Sequence, residues 1–265
     1  MRSVLICHHD EPLNRFGLSR WLASFSDLVA IIDLHEPPGR LWRRVRREMK
    51  RAGFLHFLDV LAFRLYYRLA LAKSDREWTE QRLSELKAQY PEIPATCRVL
   101  VTPSPNSPEC LSLLRELQPD IIIARCKSIL KKDIFRSAST GTFVMHPGIC
   151  PEYRNAHGCF WALAENDLDR VGMTLLKIDE GVDTGPVYGY YGCSFDETTE
   201  SHLVIQDRMV FDNLATLRAK FEEIQEGSAE TIDTSGRTSR TWGQPWLSRY
   251  LQWKGAARKR AQQKH

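Results

Sequence analysis

A histidine and an aspartate far apart in the chain carry the strongest chemical signal. His146 closes the apolar run Thr142-Phe143-Val144-Met145 and is followed at once by Pro147-Gly148 and a loop to Tyr153-Arg154. In open parallel sheets ligands bind outside the carboxyl ends of the strands, so a histidine there can meet a substrate. Asp183 lies in Asp179-Glu180-Gly181-Val182-Asp183-Thr184-Gly185, between glycines that let the backbone turn sharply and come close to a ligand. If both residues reach the same rim, imidazole and carboxylate form an acid/base pair. Spacing alone leaves the other option open, a structural histidine at a strand end.

Six apolar runs must position these residues: Val4 to Cys7, Leu28 to Asp33, Arg98 to Thr102, Asp120 to Ala124, Thr142 to His146 and Met173 to Ile178. Short runs without polar alternation, separated by helical stretches, predict parallel strands covered on both faces. The expected fold is α/β: a doubly wound, mostly parallel Rossmann-like sheet with a long helical insertion and a short C-terminal extension. Ser107 can cap a helix whose apolar face is Cys110, Leu111, Leu114 and Leu117, ended by Gln118-Pro119. A second helix is expected from Thr199 to about Glu223. The insertion, 38–78, reads as helical throughout, basic in its first half and apolar in its second. It offers three options: an interfacial amphipathic helix, a partner-binding hairpin, or a crossover packed on the sheet. Arg64 and Arg68 interrupt its apolar part, so it is too short to cross a membrane. The main domain is assigned to 1–226. A basic, Trp-containing extension, 227–265, is expected to carry an aromatic anchor and then fray.

With 265 residues, 43% hydrophobic and 26% charged, the chain can bury a full core without staples, which sets aside disordered and collagen-like classes. Its seven cysteines show no CxxC pair, so no metal site of zinc-finger spacing is expected. The first residues lead straight into a strand and then His8-His9-Asp10-Glu11, unlike a signal peptide, and a reducing cytoplasmic location is expected. The net charge of +4 is unevenly spread: Arg40, Arg43, Arg44, Arg46, Arg47, Lys50 and Arg51 cluster, as do basic residues from Arg249 to Lys264. Such clusters attract phosphates, acidic partners or anionic lipid, or are simply solvated faces.

His146-Pro147-Gly148, Pro151-Glu152-Tyr153-Arg154, Gly172-Met173-Thr174 and the Asp179 to Gly185 segment together resemble the central signature of the folate-dependent formyltransferases. That family includes the glycinamide ribonucleotide, methionyl-tRNA and sugar N-formyltransferases. The resemblance covers about Val99 to Val187. It implies transfer of a formyl group from 10-formyltetrahydrofolate, as co-substrate, to a small amine such as an amino sugar nucleotide. His146 would then stabilise the oxyanion, and Asp183 would orient it and help carry protons. Cys126, Lys127, Ser128, Ile129 and Leu130, with the backbone of Asp179, Glu180, Gly181 and Val182, would line the pterin pocket. His8, His9 and Asp10 would face the acceptor, or form an exposed polar turn. No specific nucleic acid partner is implied, and a homodimer stays open.

The family's Asn stands two residues before the His; here that position is Val144, which donates no hydrogen bond. One oxyanion donor is worth about 2.7 to 4 kcal/mol. Asn155 or His157 could supply the donor, the chemistry could have shifted, or the pocket could only bind. Asn155 could instead cap a helix from Ala156 to Ala164. The competing function is therefore a catalytically altered or inactive binding protein of this fold.

Overall fold

The structure, a computed structural model, describes residues 1–35 and 53–263. The basic cluster from Arg40 to Arg51, the first part of the expected insertion, and Lys264 lie outside the described residues. Seven strands form the main sheet in the order β3-β2-β1-β4-β5-β7-β8: β1 (Arg2–His8), β2 (Asp27–Leu34), β3 (Arg98–Thr102), β4 (Ile121–Arg125), β5 (Gly141–His146), β7 (Met173–Lys177) and β8 (Val187–Tyr191). The first five are mutually parallel, and chain order reverses between β1 and β4. That reversal is the topological switch point at which doubly wound sheets open a crevice.

All six expected strands form, but β7 runs antiparallel to β5, and β8, which was not foreseen, runs antiparallel to β7. An apolar run gives burial on both faces but not direction. Pleating divides the buried residues cleanly. Leu5, Cys7, Ile123, Phe143 and Met145 face one cluster with Trp21, Phe160 and Phe221, while Val4, Ile6, Ile122 and Ala124 face another with Leu114, Leu130 and Phe135.

The helices are α1 (Ser19–Ala23), which continues a π-helical turn, α2 (Phe54–Tyr66), α3 (Ala72–Gln89), α4 (Pro108–Leu117), α5 (Lys132–Phe135), α6 (Gly158–Ala164), α7 (His202–Phe211), α8 (Leu214–Glu226) and α9 (Leu247–Gln263). α4 forms as read, with the Ser107 side chain accepting from the Cys110 N–H and Gln118 ending it in a left-handed conformation. The expected single helix from Thr199 is two: α7 stops at Asp212-Asn213 and α8 restarts at Leu214. The apolar spacing runs through the break, so periodicity did not reveal it. The described part of the insertion is helical and continues beyond Trp78 to Gln89.

Within the described residues the C-terminal segment is a packed helix rather than a frayed end. α9 buries Tyr250, Trp253, Lys254 and Ala257, and the Lys254 ammonium donates to the carbonyls of Glu197 (2.7 Å) and Glu200 (2.6 Å). Burial pulls Lys254 down to about 8. Counting basic residues suggested a solvated end, but a lysine whose ammonium caps two carbonyls anchors a helix. No helix among the described residues is long and apolar enough to cross a membrane.

Candidate active site

His146 ends β5 at the carboxyl edge and is nearly enclosed, with its side chain 4% exposed. Its Nε2 lies 2.8 Å from the Tyr153 carbonyl, and its Nδ1 lies 3.4 Å from Asp183 Oδ2. Both neighbouring oxygens are hydrogen-bond acceptors. Asp183 itself adopts φ 52°, a left-handed conformation that Asp tolerates better than most side chains. Because β7 runs antiparallel, the loop carrying Asp183 leaves the sheet beside Thr142, whose carbonyl accepts from the Ile178 N–H at 2.7 Å. It then folds back to His146. Gly185 permits this path: a Cβ there would stand 1.9 Å from the Lys177 carbonyl oxygen.

The loop after His146 is clamped from several sides. The Cys150 N–H donates to Thr174 Oγ1 (2.9 Å), and that hydroxyl donates to the Gly148 carbonyl (2.6 Å). Gly148 passes so close to Gly158 that a Cβ on it would lie 2.8 Å from the Gly158 Cα. Arg237 forks onto both oxygens of Glu152, at 2.9 and 2.7 Å, and Trp242 donates to the Glu152 carbonyl. Trp242 also stacks on Tyr153 and Trp161. The segment after Gly227 thus holds the very loop that follows His146. Sequence reasoning assigned no supporting role to Arg237, Glu152, Thr174 or Trp242; the available signals were the Pro-Glu-Tyr-Arg motif for Glu152 and the Gly-Met-Thr motif for Thr174.

The structure engages Asn155 more than its sequence position suggested. Its backbone N–H donates to Asp183 Oδ2 (2.7 Å), and its side-chain amide donates to the Trp242 carbonyl (2.5 Å). It is not the helix cap: Arg154 and Asn155 form the short strand β6 against β9 (Thr241–Trp242), and His157 occupies the N-cap position of α6. His157 keeps a buried Nδ1 without a hydrogen-bond partner. Burial, aided by Lys127 and Arg64, pulls His157 down to about 4, so its ring is neutral near pH 7. Val144 packs against the small cluster of Cys150, Leu176 and Val187.

The two segments expected around a pterin are tied together through their flanks. Cys126, Leu130 and Ile178 share an apolar cluster, while Glu180 pairs with Lys132 (2.7 Å) and Arg136 (3.3 Å) just beyond the first segment. Ile129 and Val182 are exposed, Ser128 is half-buried, Gly181 donates its N–H to Asp179 Oδ1, and the Val182 carbonyl accepts from Arg154. His8 is buried and its Nε2 accepts from the Lys127 N–H (3.0 Å), across the switch point. His9 and Asp10 are exposed, and His9 leans on Asp33. Lys127 also pairs with Glu11 (2.8 Å); burial alone would raise that carboxyl, but Lys127, Arg125 and His8 hold it below its usual value.

A deeper polar group was invisible in the sequence. His202 is buried among Phe63, Phe160 and Tyr250, and burial, with His157 and Lys254, pushes it well below its ordinary value. Asp207 is pushed up to about 7 by burial against the pull of Arg125. The linkage signs follow. A histidine kept neutral in the fold is protonated on unfolding, so His157 costs stability as pH falls from its ordinary 6.5 toward about 4. Asp207, raised in the fold, costs stability as pH rises from 3.8 through about 7. Between about pH 4 and 6.5 the two groups act in opposite directions and largely offset each other, so removing one of them exposes the other. Asp207→Asn should raise the melting temperature at about pH 8 and change it little at about pH 3.5, and calorimetry across that range checks the prediction.

A family model described as formyl transferase matches residues 75–217, just over half of the chain. The chain belongs to the formyl transferase family. Over 85 residues it is 40% identical to a methionyl-tRNA formyltransferase of Kosmotoga olearia, covering 32% of this chain and 27% of that protein. Over 125 residues it is 31% identical to a methionyl-tRNA formyltransferase of Syntrophus aciditrophicus, covering 46% and 40%. The chain thus matches well under half the length of these relatives. In structure it is similar to a phosphoribosylglycinamide formyltransferase of Anaplasma phagocytophilum, with TM-score 0.54, 14% identity and coverage of 92% of this chain and 99% of that one. It is also similar to a sugar N-formyltransferase of Shewanella sp FDAARGOS_354, with TM-score 0.53, 13% identity and coverage of 92% and 77%. At these identities the likeness establishes the formyltransferase fold.

Proposed function

We propose that the chain is a folate-dependent N-formyltransferase that moves a formyl group from 10-formyltetrahydrofolate to a small amine, an amino sugar on a nucleotide being the favoured acceptor class. The observation that carries this reading is the convergence of His146 and Asp183 at 3.4 Å from segments 37 residues apart. The amine nitrogen attacks the formyl carbon and a C–N bond forms. The bond from that carbon to N10 of the folate then breaks, and the proton lost by the amine ends on N10. Asp183 orients the His146 ring. His146 exchanges the Tyr153 carbonyl for the oxygen that gains charge, and His157 Nδ1 supplies the second donor that Val144 lacks. Exposed Ile129 and Val182 suit the flat apolar face of a pterin, and the backbone groups of Asp179 to Val182 suit its polar edge. His9 and Asp10 face the acceptor, while His8 acts through the Lys127 segment. Seven free cysteines suit a cytoplasmic setting.

The packing of Val144 among Cys150, Leu176 and Val187 favours a second reading, a folate-binding protein without turnover. Calorimetry with a stable folate analogue at micromolar protein tests what both readings share; absence of binding heat would sink both. Mass spectrometry of candidate amines incubated with protein and formyl donor then separates them. A mass gain of one formyl group is expected, and a bound analogue without any formylated product would leave the binding protein.

A further inference from the structure

A second cluster of ligating side chains lies at the carboxyl ends of β1 and β2. His9 follows β1 directly and His35 follows β2, and Asp33 is the penultimate residue of β2. Backbone hydrogen bonds fix both histidines: the His9 N–H donates to the Leu34 carbonyl (3.1 Å), and the His35 N–H donates to the Thr102 carbonyl (3.0 Å). Both imidazoles turn toward one carboxylate oxygen. Asp33 Oδ2 is 3.1 Å from His9 Nδ1 and 3.6 Å from His35 Nε2, and the two rings are tilted with centroids 3.9 Å apart.

Hydrogen bonding alone is a poor account of this arrangement. Arg15 Nη2 stands 3.0 Å from the same Oδ2, so three cationic or donor groups crowd one oxygen. Asp33 is fully buried, and its other oxygen, Oδ1, is enclosed with no hydrogen-bond partner. A buried carboxylate ordinarily spreads its donors over both oxygens. We propose that His9 Nδ1, His35 Nε2 and Asp33 Oδ2 form a binding site for a divalent transition metal of the zinc, cobalt or nickel class.

The three ligand atoms lie within 4.8 Å of one another. Metal–ligand bonds of about 2.0 to 2.2 Å can be met by small turns of two half-exposed rings. Two neutral imidazoles and one carboxylate are the donor set that borderline metals accept, with a coordination position left for water or an anion. Arg15 sets the strength: its charge already neutralises Asp33 and repels an incoming cation, so binding is moderate rather than tight. Cysteine spacing could not reveal the site, because its ligands come from two neighbouring strands 24 residues apart in the chain.

Titration of the intact metal-free chain with zinc chloride, read by calorimetry, and with cobalt chloride, read by visible absorption, tests the proposal without any turnover assay. It therefore stands or falls separately from formyl transfer. One ion per chain at micromolar affinity is expected. His9→Ala and His35→Ala should each weaken binding by at least about tenfold. Arg15→Gln should tighten it, a change that merely losing an ion pair would not produce. Both histidines are half-exposed, and melting curves verify that the variants fold. Absence of binding, or equal binding in the histidine variants through the partly exposed thiols of Cys97, Cys126 or Cys193, overturns the proposal.

Discussion

His146→Ala is expected to lower kcat/KM for formyl transfer by about 10²- to 10³-fold, the cost of a lost oxyanion donor. Asp183→Asn should fall within the same range, because an amide at that position cannot hold the Nδ1 proton through its charge. Asn is the better probe than Ala: it tolerates the left-handed backbone at φ 52° and can still accept from the Asn155 N–H that organises the loop. The far-ultraviolet circular dichroism spectra should match the parent. Rates are read from release of tetrahydrofolate against a formylatable amine. Turnover retained in either variant would mean that the reaction takes place elsewhere. The expectation rests on geometry: two side chains on separate segments, both largely out of water, share one contact in an otherwise clamped loop.

That contact was legible in the sequence because both residues sit where strand and loop signals meet. His146 ends an apolar run before Pro-Gly, and Asp183 is bracketed by glycines. Each of the six runs read as strands became one, since apolar continuity reports burial on two faces. Strand direction was not legible. Met173–Lys177 has the same local composition whether it runs with or against β5, and its antiparallel course sends the Asp183 loop back over the sheet. The break between α7 and α8 was hidden for a related reason: Leu214 and Leu217 continue the apolar spacing across Asp212-Asn213, whose effect depends on tertiary packing. Charge was the poorest guide. Lys254 and Arg260 look like parts of a solvated tail, yet Lys254 is buried and Arg260 forks onto Glu197. His202 and Asp207 carried no motif, and His202 is enclosed by rings from three helices distant in the chain, Phe63, Phe160 and Tyr250.

The largest gain should come from restoring the amide that the site lacks. Val144 and His146 alternate onto the same face of β5, so Val144→Asn presents an amide beside the ring. The neighbours Cys150, Leu176 and Val187 lose one small apolar contact, and the new amide is only partly buried, so the cost in stability should stay within about 1 to 3 kcal/mol. If His157 supplies the second oxyanion donor, His157→Ala alone should slow transfer by about 10²- to 10³-fold, the cost of one such donor. Adding Val144→Asn to His157→Ala should then recover most of that loss. Val144→Asn in the parent should give a smaller gain, because the oxyanion is already served. The pattern differs from what a purely structural His157 would produce: a helix start weakened by His157→Ala would not be repaired by an amide on β5. Equal rates for His157→Ala and the parent, with a gain of a hundredfold or more from Val144→Asn alone, would instead mean that the position of Val144 had been left without any substitute.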